Sequence, residues 1–354
     1  MLACLDWLYE SDMLIYDLDL PQIAETLKSW GEPAYRAAQV WQGLYHHFYG
    51  SADEFTALPL PLRERLAAAF DFRGLQPLRY LDSSDGLTRK TLFKLPNGPL
   101  IEAVLMRYDR RRTLCISSQA GCAMGCKFCA TGQMGFRGQL SSGQIVAQVM
   151  YYARRLKDEG SSVTNIVVMG MGEPFHNYEN TMTAIDRLND ARGYNFGARR
   201  ITVSTVGLVP MIRRFADERR QVNLAISLHA AEDDLRLSMM PVTRKYPVEQ
   251  VLEACRYYVD KTGRRVTFEW ALIQGVNDTP EQARRLAKRL HGLLCHVNAI
   301  PLNPTKGFDG QATSRERAER FKATLEANGI PCTIRLRRGI EIQAGCGQLA
   351  GDVV

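Results

Sequence analysis

From Thr113 onward, short apolar runs alternate with longer amphipathic ones, and this rhythm narrows the possible folds more than any other feature of the chain. Strand patterns fall at 113–118, 165–170, 200–205, 222–228, 265–273, 296–302 and 331–336. Helical patterns lie between them at 141–159, 178–190, 209–218, 248–261, 280–292 and 314–328, the first with Ser141 and Ser142 available as caps. Strands separated by helices build a parallel sheet, and uncharged interiors such as Ile166-Val167-Val168 suit strands covered on both faces. Six or seven such units fall short of the eight that close a barrel. The expected fold is therefore α/β: a partial (βα)6 barrel over 113–354, with its chemistry at the C-terminal ends of the strands.

The residues before 113 divide in two. Over 1–75, the spacing of Ile23, Leu27 and Trp30, of Tyr35, Val40, Trp41, Leu44 and Tyr45, and of Leu62, Leu66 and Phe70 predicts an accessory domain of about three helices. Trp41, Tyr45 and Tyr49 crowd one side, where aromatics at helical spacing more often face a core than stack on bases. Residues 1–12 fit no element, and Met13 could serve as a second start. Over 76–112, alternation at 76–82, 89–95 and 100–107, broken by Asp85-Gly86 and Asn97-Gly98, predicts hairpin-linked strands. This β-extension and its approach carry Arg73, Arg79, Arg89, Lys90, Lys94, Arg107 and Arg110 to Arg112 against Asp82, Asp85, Glu102 and Asp109, a local excess of +5. A basic sheet face suits a phosphate backbone, while a solvated face is the plainer reading.

A net charge of +7 points the same way without deciding it. No apolar run approaches the roughly 18 residues of a membrane span, and Asp6, Glu10, Asp12, Asp17 and Asp19 stand where an export signal would be basic. Nine cysteines, an odd number, argue for a reducing compartment, hence the cytoplasm.

Three of those cysteines form a C-x3-C-x2-C run, Cys122, Cys126 and Cys129, with Phe128 before the last and Gly121 and Gly125 loosening the loop. Soft thiolates on one short loop suit iron–sulfur or zinc, but structural zinc wants four protein ligands. Three cysteines on a [4Fe–4S] cube leave one iron open for chemistry. Other strand ends carry apt groups: Met169-Gly170-Met171-Gly172-Glu173-Pro174, Ser204-Thr205, Ser227-Leu228-His229 and Asn303-Pro304. Singly, each also reads as a turn or cap residue. Cys4, Cys255, Cys295 and Cys332 read as small buried hydrophobes. Cys346 differs, because glycines on both sides suit a nucleophile on a bent or mobile backbone.

The stretches T-L-C-I-S-S-Q-A-G-C-A-M-G-C-K-F-C-A-T-G, M-G-M-G-E-P, V-S-T-V-G, S-L-H, N-P-T and A-G-C-G-Q-L-A-G closely resemble the RlmN/Cfr family of radical S-adenosylmethionine (SAM) RNA methyltransferases, over nearly the whole chain. The resemblance implies that Cys122, Cys126 and Cys129 hold a [4Fe–4S] cluster, and that Gly172, Glu173, Ser204, Ser227, Leu228, His229 and Asn303 contact SAM. It implies Glu102 as a proton acceptor, for which an ion pair with a neighbouring Arg is the alternative. It further implies that two SAM molecules serve each turnover: one methylates Cys346, the other yields a radical that activates that methyl group for attack on adenine. Cys115 would then release the product by forming a disulfide with Cys346. The implied substrates are adenosine C2 in 23S rRNA and in the tRNA anticodon loop, with C8 as the Cfr-type alternative. The implied partners are those RNAs and an electron donor such as a flavodoxin or ferredoxin, acting on a monomer. Two classes compete: a radical SAM enzyme with a non-RNA substrate, which would have no need of Cys115, Cys346 or the basic extension, and a zinc-stabilised RNA-binding module indifferent to SAM. The tail departs from the commoner D-A-A-C-G-Q-L by reading Q-A-G-C-G-Q-L at 343–349, which leaves the thiol untouched.

Overall fold

A computed structural model describes residues 13–351 except 97 and 336. The reading of residues 1–12, including Cys4, and Asn97 of the second turn therefore lie outside the described residues.

The chain begins with three helices, α1 (Leu20–Ser29), α2 (Tyr35–Gln42) and α3 (Leu60–Ala69). The first starts where it does because Asp19 and Gln22 cap each other reciprocally, each side chain accepting the other's backbone N–H at 2.8 Å. A π-helical turn, Gly43–His47, extends α2. Trp41 and Tyr45 are fully buried with ring centroids 4.4 Å apart, so both are core residues, while Tyr49 is half-buried against Phe55. Three antiparallel strands follow, β1 (Gln76–Asp82), β2 (Thr88–Lys94) and β3 (Leu100–Arg107).

The barrel begins at β4 (Arg112–Cys115). A small ribbon of β5 (Gln119–Gly121) and β6 (Phe136–Gln139) brackets the short helix α4 (Ala130–Gln133). Then come α5 (Ser142–Asp158), β7 (Asn165–Val168), α6 (Tyr178–Asn189), β8 (Ile201–Thr205), α7 (Val209–Asp217) and β9 (Asn223–Ser227). Two helices, α8 (Asp233–Met239) and α9 (Val248–Thr262), lead to β10 (Val266–Leu272). The series ends with α10 (Pro280–Leu290), β11 (Cys295–Pro301), α11 (Arg315–Ala327) and β12 (Cys332–Ile334). Strand order is β1-β2-β3-β4-β7-β8-β9-β10-β11-β12, with every neighbour from β4 to β12 parallel. The sheet is an open barrel, as the alternation predicts. Its uncharged strand centres, such as Ile166, Val168, Leu224 and Ile226, are covered on both faces.

The β-extension is continuous with this sheet, because β3 pairs with β4 through Val104↔Cys115 and Leu105↔Leu114. Its basic surface is smaller than the residue count implies. Arg89 pairs with Asp82 at 2.6 Å and Arg107 with Glu159 at 2.7 Å, while Lys90 and Glu102 are buried against each other. Arg73, Arg79, Lys94, Arg110 and Arg111 stay exposed.

The helical module is tied to the barrel by charge as well as packing. Asp17 accepts from Gly143 N at 2.7 Å and from Ser141 Oγ at 3.0 Å, and Arg187 donates to the carbonyls of Tyr16 and Asp17 at 2.7 Å. Ser141 also caps α5 through Gln144 N at 3.1 Å. Ser141→Ala removes both contacts and should destabilise the fold by about 1–2 kcal/mol, read from denaturant melts.

Candidate active site

The C-terminal ends of the parallel strands open into a cavity of about 200 Å³. Cys122, Cys126 and Cys129 lie on its wall, delivered by the loop between β5 and α4. The loop's path depends on glycine: Gly121 has φ +71°, and a Cβ there would stand 1.9 Å from the Gly135 carbonyl oxygen, which also accepts from Cys122 N at 3.0 Å. Gly121→Ala must break that contact, at a cost of about 1–3 kcal/mol. The expected outcome is a lower melting temperature together with less iron retained on reconstitution.

Among the described residues, no three His, Cys, Asp or Glu side chains converge closely enough for a single metal ion. A cube fits better, since it takes thiolates at three separate iron corners. Burial pushes the Cys122 thiol up to about 12 and holds Cys126 and Cys129 above their ordinary range; at Cys126 the other two thiols add to this. Binding a cationic cluster therefore means displacing protons. Three thiols on a glycine-loosened loop, two buried and Cys129 half-buried, facing a cavity, are a donor set that fits a [4Fe–4S] cluster with one iron left open.

Cys115 and Cys346 line the same cavity. Cys115 ends β4, and burial with the nearby Cys346 pushes its thiol up to about 12, opposed by Arg335. Cys346 meets the cavity's solvent, but the surrounding protein still pushes its thiol up to about 11, again opposed by Arg335. Both thiols are free in this structure, as is every other described cysteine, so the disulfide implied by the resemblance is not present.

The other expected residues gather here with one exception. Gly172 has φ +101°, and a Cβ would lie 2.5 Å from that of Gln119. Glu173 is buried; its carboxylate accepts from Phe175 N at 3.0 Å and Val206 N at 2.8 Å, and burial pushes the carboxyl up to about 7. Ser204 and Ser227, on β8 and β9, place their hydroxyls 3.4 Å apart. His229 adopts a left-handed φ of +61° and its Nδ1 accepts from Ala271 N at 2.9 Å. That bond leaves the ring proton on Nε2, and burial keeps the ring neutral by lowering its pKa to about 3. Asn303 donates to the Cys346 carbonyl at 3.0 Å, leaving its own buried oxygen without a partner among the described residues. All of these line the cavity; Leu228 lies fully buried beside it.

Glu102 stands elsewhere. It is 1% exposed, is not among the residues lining this cavity, and pairs with Lys90 at 2.8 Å. The partner is a lysine on the adjoining strand, not an arginine.

Other residues take part without being singled out by the sequence. Gln119 accepts from Glu173 N at 2.7 Å. The fully buried Arg236 donates to the carbonyls of Val206, Ser227 and Leu228 at 2.5, 3.2 and 3.0 Å, fixing two strand ends. A lone arginine on a short helix gives no signal. Glu269 does: a charge in the middle of the apolar strand V-T-F-E-W-A-L marks a side chain facing the barrel interior. Its carboxyl accepts from Asn298 at 3.0 Å, and burial raises its pKa.

Residues 116–288 match the family model described as the radical SAM superfamily, and residues 13–71 match the ribosomal RNA large subunit methyltransferase N-terminal domain. A probable dual-specificity RNA methyltransferase RlmN from Chloroflexus aurantiacus is 50% identical over 348 residues, covering 95% of this chain and 92% of its own. The dual-specificity RNA methyltransferase RlmN 1 of Myxococcus xanthus is 48% identical over 339 residues, covering 96% and 94%. The crystal structure of a radical SAM methyltransferase from Sphaerobacter thermophilus superposes with a TM-score of 0.94 at 52% identity, covering 96% of this chain and all of that one. With two-domain matches, near-full-length coverage and the three-thiol cavity in agreement, the chain belongs to the RlmN family of radical SAM RNA methyltransferases.

Proposed function

We propose that the chain methylates C2 of an adenosine in 23S rRNA and in the tRNA anticodon loop, carrying the methyl group on Cys346. The supporting observation is that Cys115 and Cys346 line the same cavity as the three cluster thiols. C2 of adenine is electron-poor, so it cannot attack the methyl of SAM directly.

When bound, the cluster and SAM supply a methyl cation equivalent and, on reduction of a second SAM, a carbon-centred hydrogen abstractor. The chain's residues do the rest. Cys346 as thiolate attacks the methyl carbon of SAM, forming an S–CH3 bond as the sulfonium–methyl bond breaks and S-adenosylhomocysteine leaves. Loss of one hydrogen atom leaves S–CH2•, which bonds to the adenine ring. The adduct gives up one electron, which the oxidised cluster would take back, and its ring proton, which passes to solvent. Cys115 attacks the Cys346 sulfur, the S–CH2 bond breaks toward carbon, and protonation completes the methyl group. The two thiols are oxidised to a disulfide, which a thiol reductant must reopen before the next turnover.

Gly172 opens space for backbone approach, Glu173 is a carboxylate for the amino group of SAM, and Ser204, Ser227, His229 and Asn303 offer hydrogen bonds, with Leu228 buried behind them. Glu173 must be ionised to hold an ammonium, and its pKa of about 7 lies above the usual carboxylate range. SAM affinity should therefore weaken as pH falls below about 7, and Glu173→Gln should bind more weakly with no such dependence, measured by equilibrium binding to anaerobic protein. The bound base must leave its stack to reach a recessed site, so a loop or anticodon adenosine is the expected target. Mass spectrometry of rRNA and tRNA nucleosides after incubation tests the assignment: 2-methyladenosine supports it, and 8-methyladenosine or no product overturns it.

A further inference from the structure

Cys346 sits at the tip of a loop whose two feet meet one buried ion pair. At the first foot, the Gln343 carbonyl accepts from Lys90 Nζ at 3.3 Å. At the second, Ala350 N and Gly351 N donate to Glu102 Oε2 at 2.9 and 3.3 Å. Lys90 Nζ lies 2.8 Å from the other oxygen, Glu102 Oε1, and the two side chains are 8% and 2% exposed. Further contacts hold the arch between the feet: Asn303 Nδ2 to the Cys346 carbonyl at 3.0 Å, and Ala130 N to the Gly347 carbonyl at 2.7 Å. That second bond joins the arch to the helix following the cluster cysteines.

Lys90 and Glu102 come from β2 and β3, strands outside the parallel barrel. A buried charge pair contributes little net stability, but removal of either member leaves an uncompensated charge that only hydration relieves. Here hydration means lifting the loop. Gly345 and Gly347 leave that loop without stiffness of its own; Gly347 has φ +83°.

We propose that Lys90 and Glu102 act as a clamp that closes the two feet of the 343–351 loop and thereby positions Cys346 for methyl transfer. Glu102 is then a positioning residue and not a proton acceptor. Its carboxylate already receives hydrogens from Lys90, Ala350 and Gly351, and it stands outside the cavity that holds both working thiols. The antiparallel extension serves as the jaw of the active-site loop as well as a surface facing solvent. The step affected rests on the reading of Cys346 as methyl carrier; the clamp itself does not.

The test uses the full chain with Lys90→Met, Glu102→Gln and the double variant. In cluster-free protein, iodoacetamide labelling of Cys346, read on its peptide by mass spectrometry, should speed up roughly tenfold or more in each single variant, with hydrogen exchange at 343–351 rising in parallel. The double variant has no orphaned charge and keeps an acceptor for Ala350 and Gly351, so its labelling should return toward wild type. With cluster, SAM and RNA supplied, the single variants should carry less S-methylated Cys346, with no build-up of protein–RNA adduct. Unchanged labelling and exchange in both single variants would overturn the clamp. So would a Glu102→Gln enzyme that accumulates adduct while Lys90→Met behaves as wild type, since that is the signature of a lost proton acceptor. If wild-type Cys346 is never methylated, the proposed function fails, while the labelling and exchange results still decide the clamp.

Discussion

Replacing Cys346 by alanine should yield a protein that never carries a methyl group and forms product at least about a thousandfold more slowly, because no other side chain takes over a missing covalent carrier. Cys115→Ala should fail differently. Its Cys346 still accepts a methyl group and still bonds to RNA, but nothing cleaves the S–CH2 bond, so protein crosslinked to RNA accumulates. Intact-protein mass spectrometry separates the outcomes: no added mass for the first, a methyl group and then an RNA-sized increment for the second. The contrast is informative because both thiols line one cavity beside Arg335. A purely structural role for either would produce neither pattern. If both variants methylate RNA normally, the two-thiol scheme is wrong.

The second large effect concerns the cluster. Cys126→Ala should bring iron from about four per chain to near zero and abolish SAM cleavage, since a cube held at two corners is not retained. Cys122 and Cys126 are buried but line the cavity, and alanine removes a single sulfur atom from each, a modest cost to packing. Apoprotein melting should therefore change little while colour and iron are lost. An iron content unchanged by Cys122→Ala, Cys126→Ala and Cys129→Ala would place the metal elsewhere.

The barrel could be read from the sequence because its helices and strands declare themselves locally. The 141–159 helix begins at Ser141, where the reciprocal cap with Gln144 forms, and the 248–261 helix stops at Gly263, whose φ of +65° ends the turn. The cysteine loop was legible because ligand spacing is a local pattern. Glu173, His229 and Asn303 stood out by their place at strand ends, but each alone also reads as a turn or cap residue, and the resemblance gave them a common ligand. What escaped is what depends on chains crossing far from one another in sequence. Lys90 counted as part of a basic surface until the tail, some 250 residues later, covered it. Arg236 donates to backbone carbonyls and Gln119 accepts from the Glu173 backbone N–H, and backbone partners leave no trace in residue identity. Glu269 left a trace, a lone charge inside an apolar strand, which alternation alone did not interpret.

The most direct measurement of the central claim follows deuterium from SAM bearing a CD3 group into RNA. Transfer through S-methylated Cys346 removes one deuterium to 5′-deoxyadenosine and later adds one solvent proton, so the methyladenosine should contain two deuterium atoms. Product carrying all three would mean the methyl group passed from SAM to adenine intact, and would contradict the account.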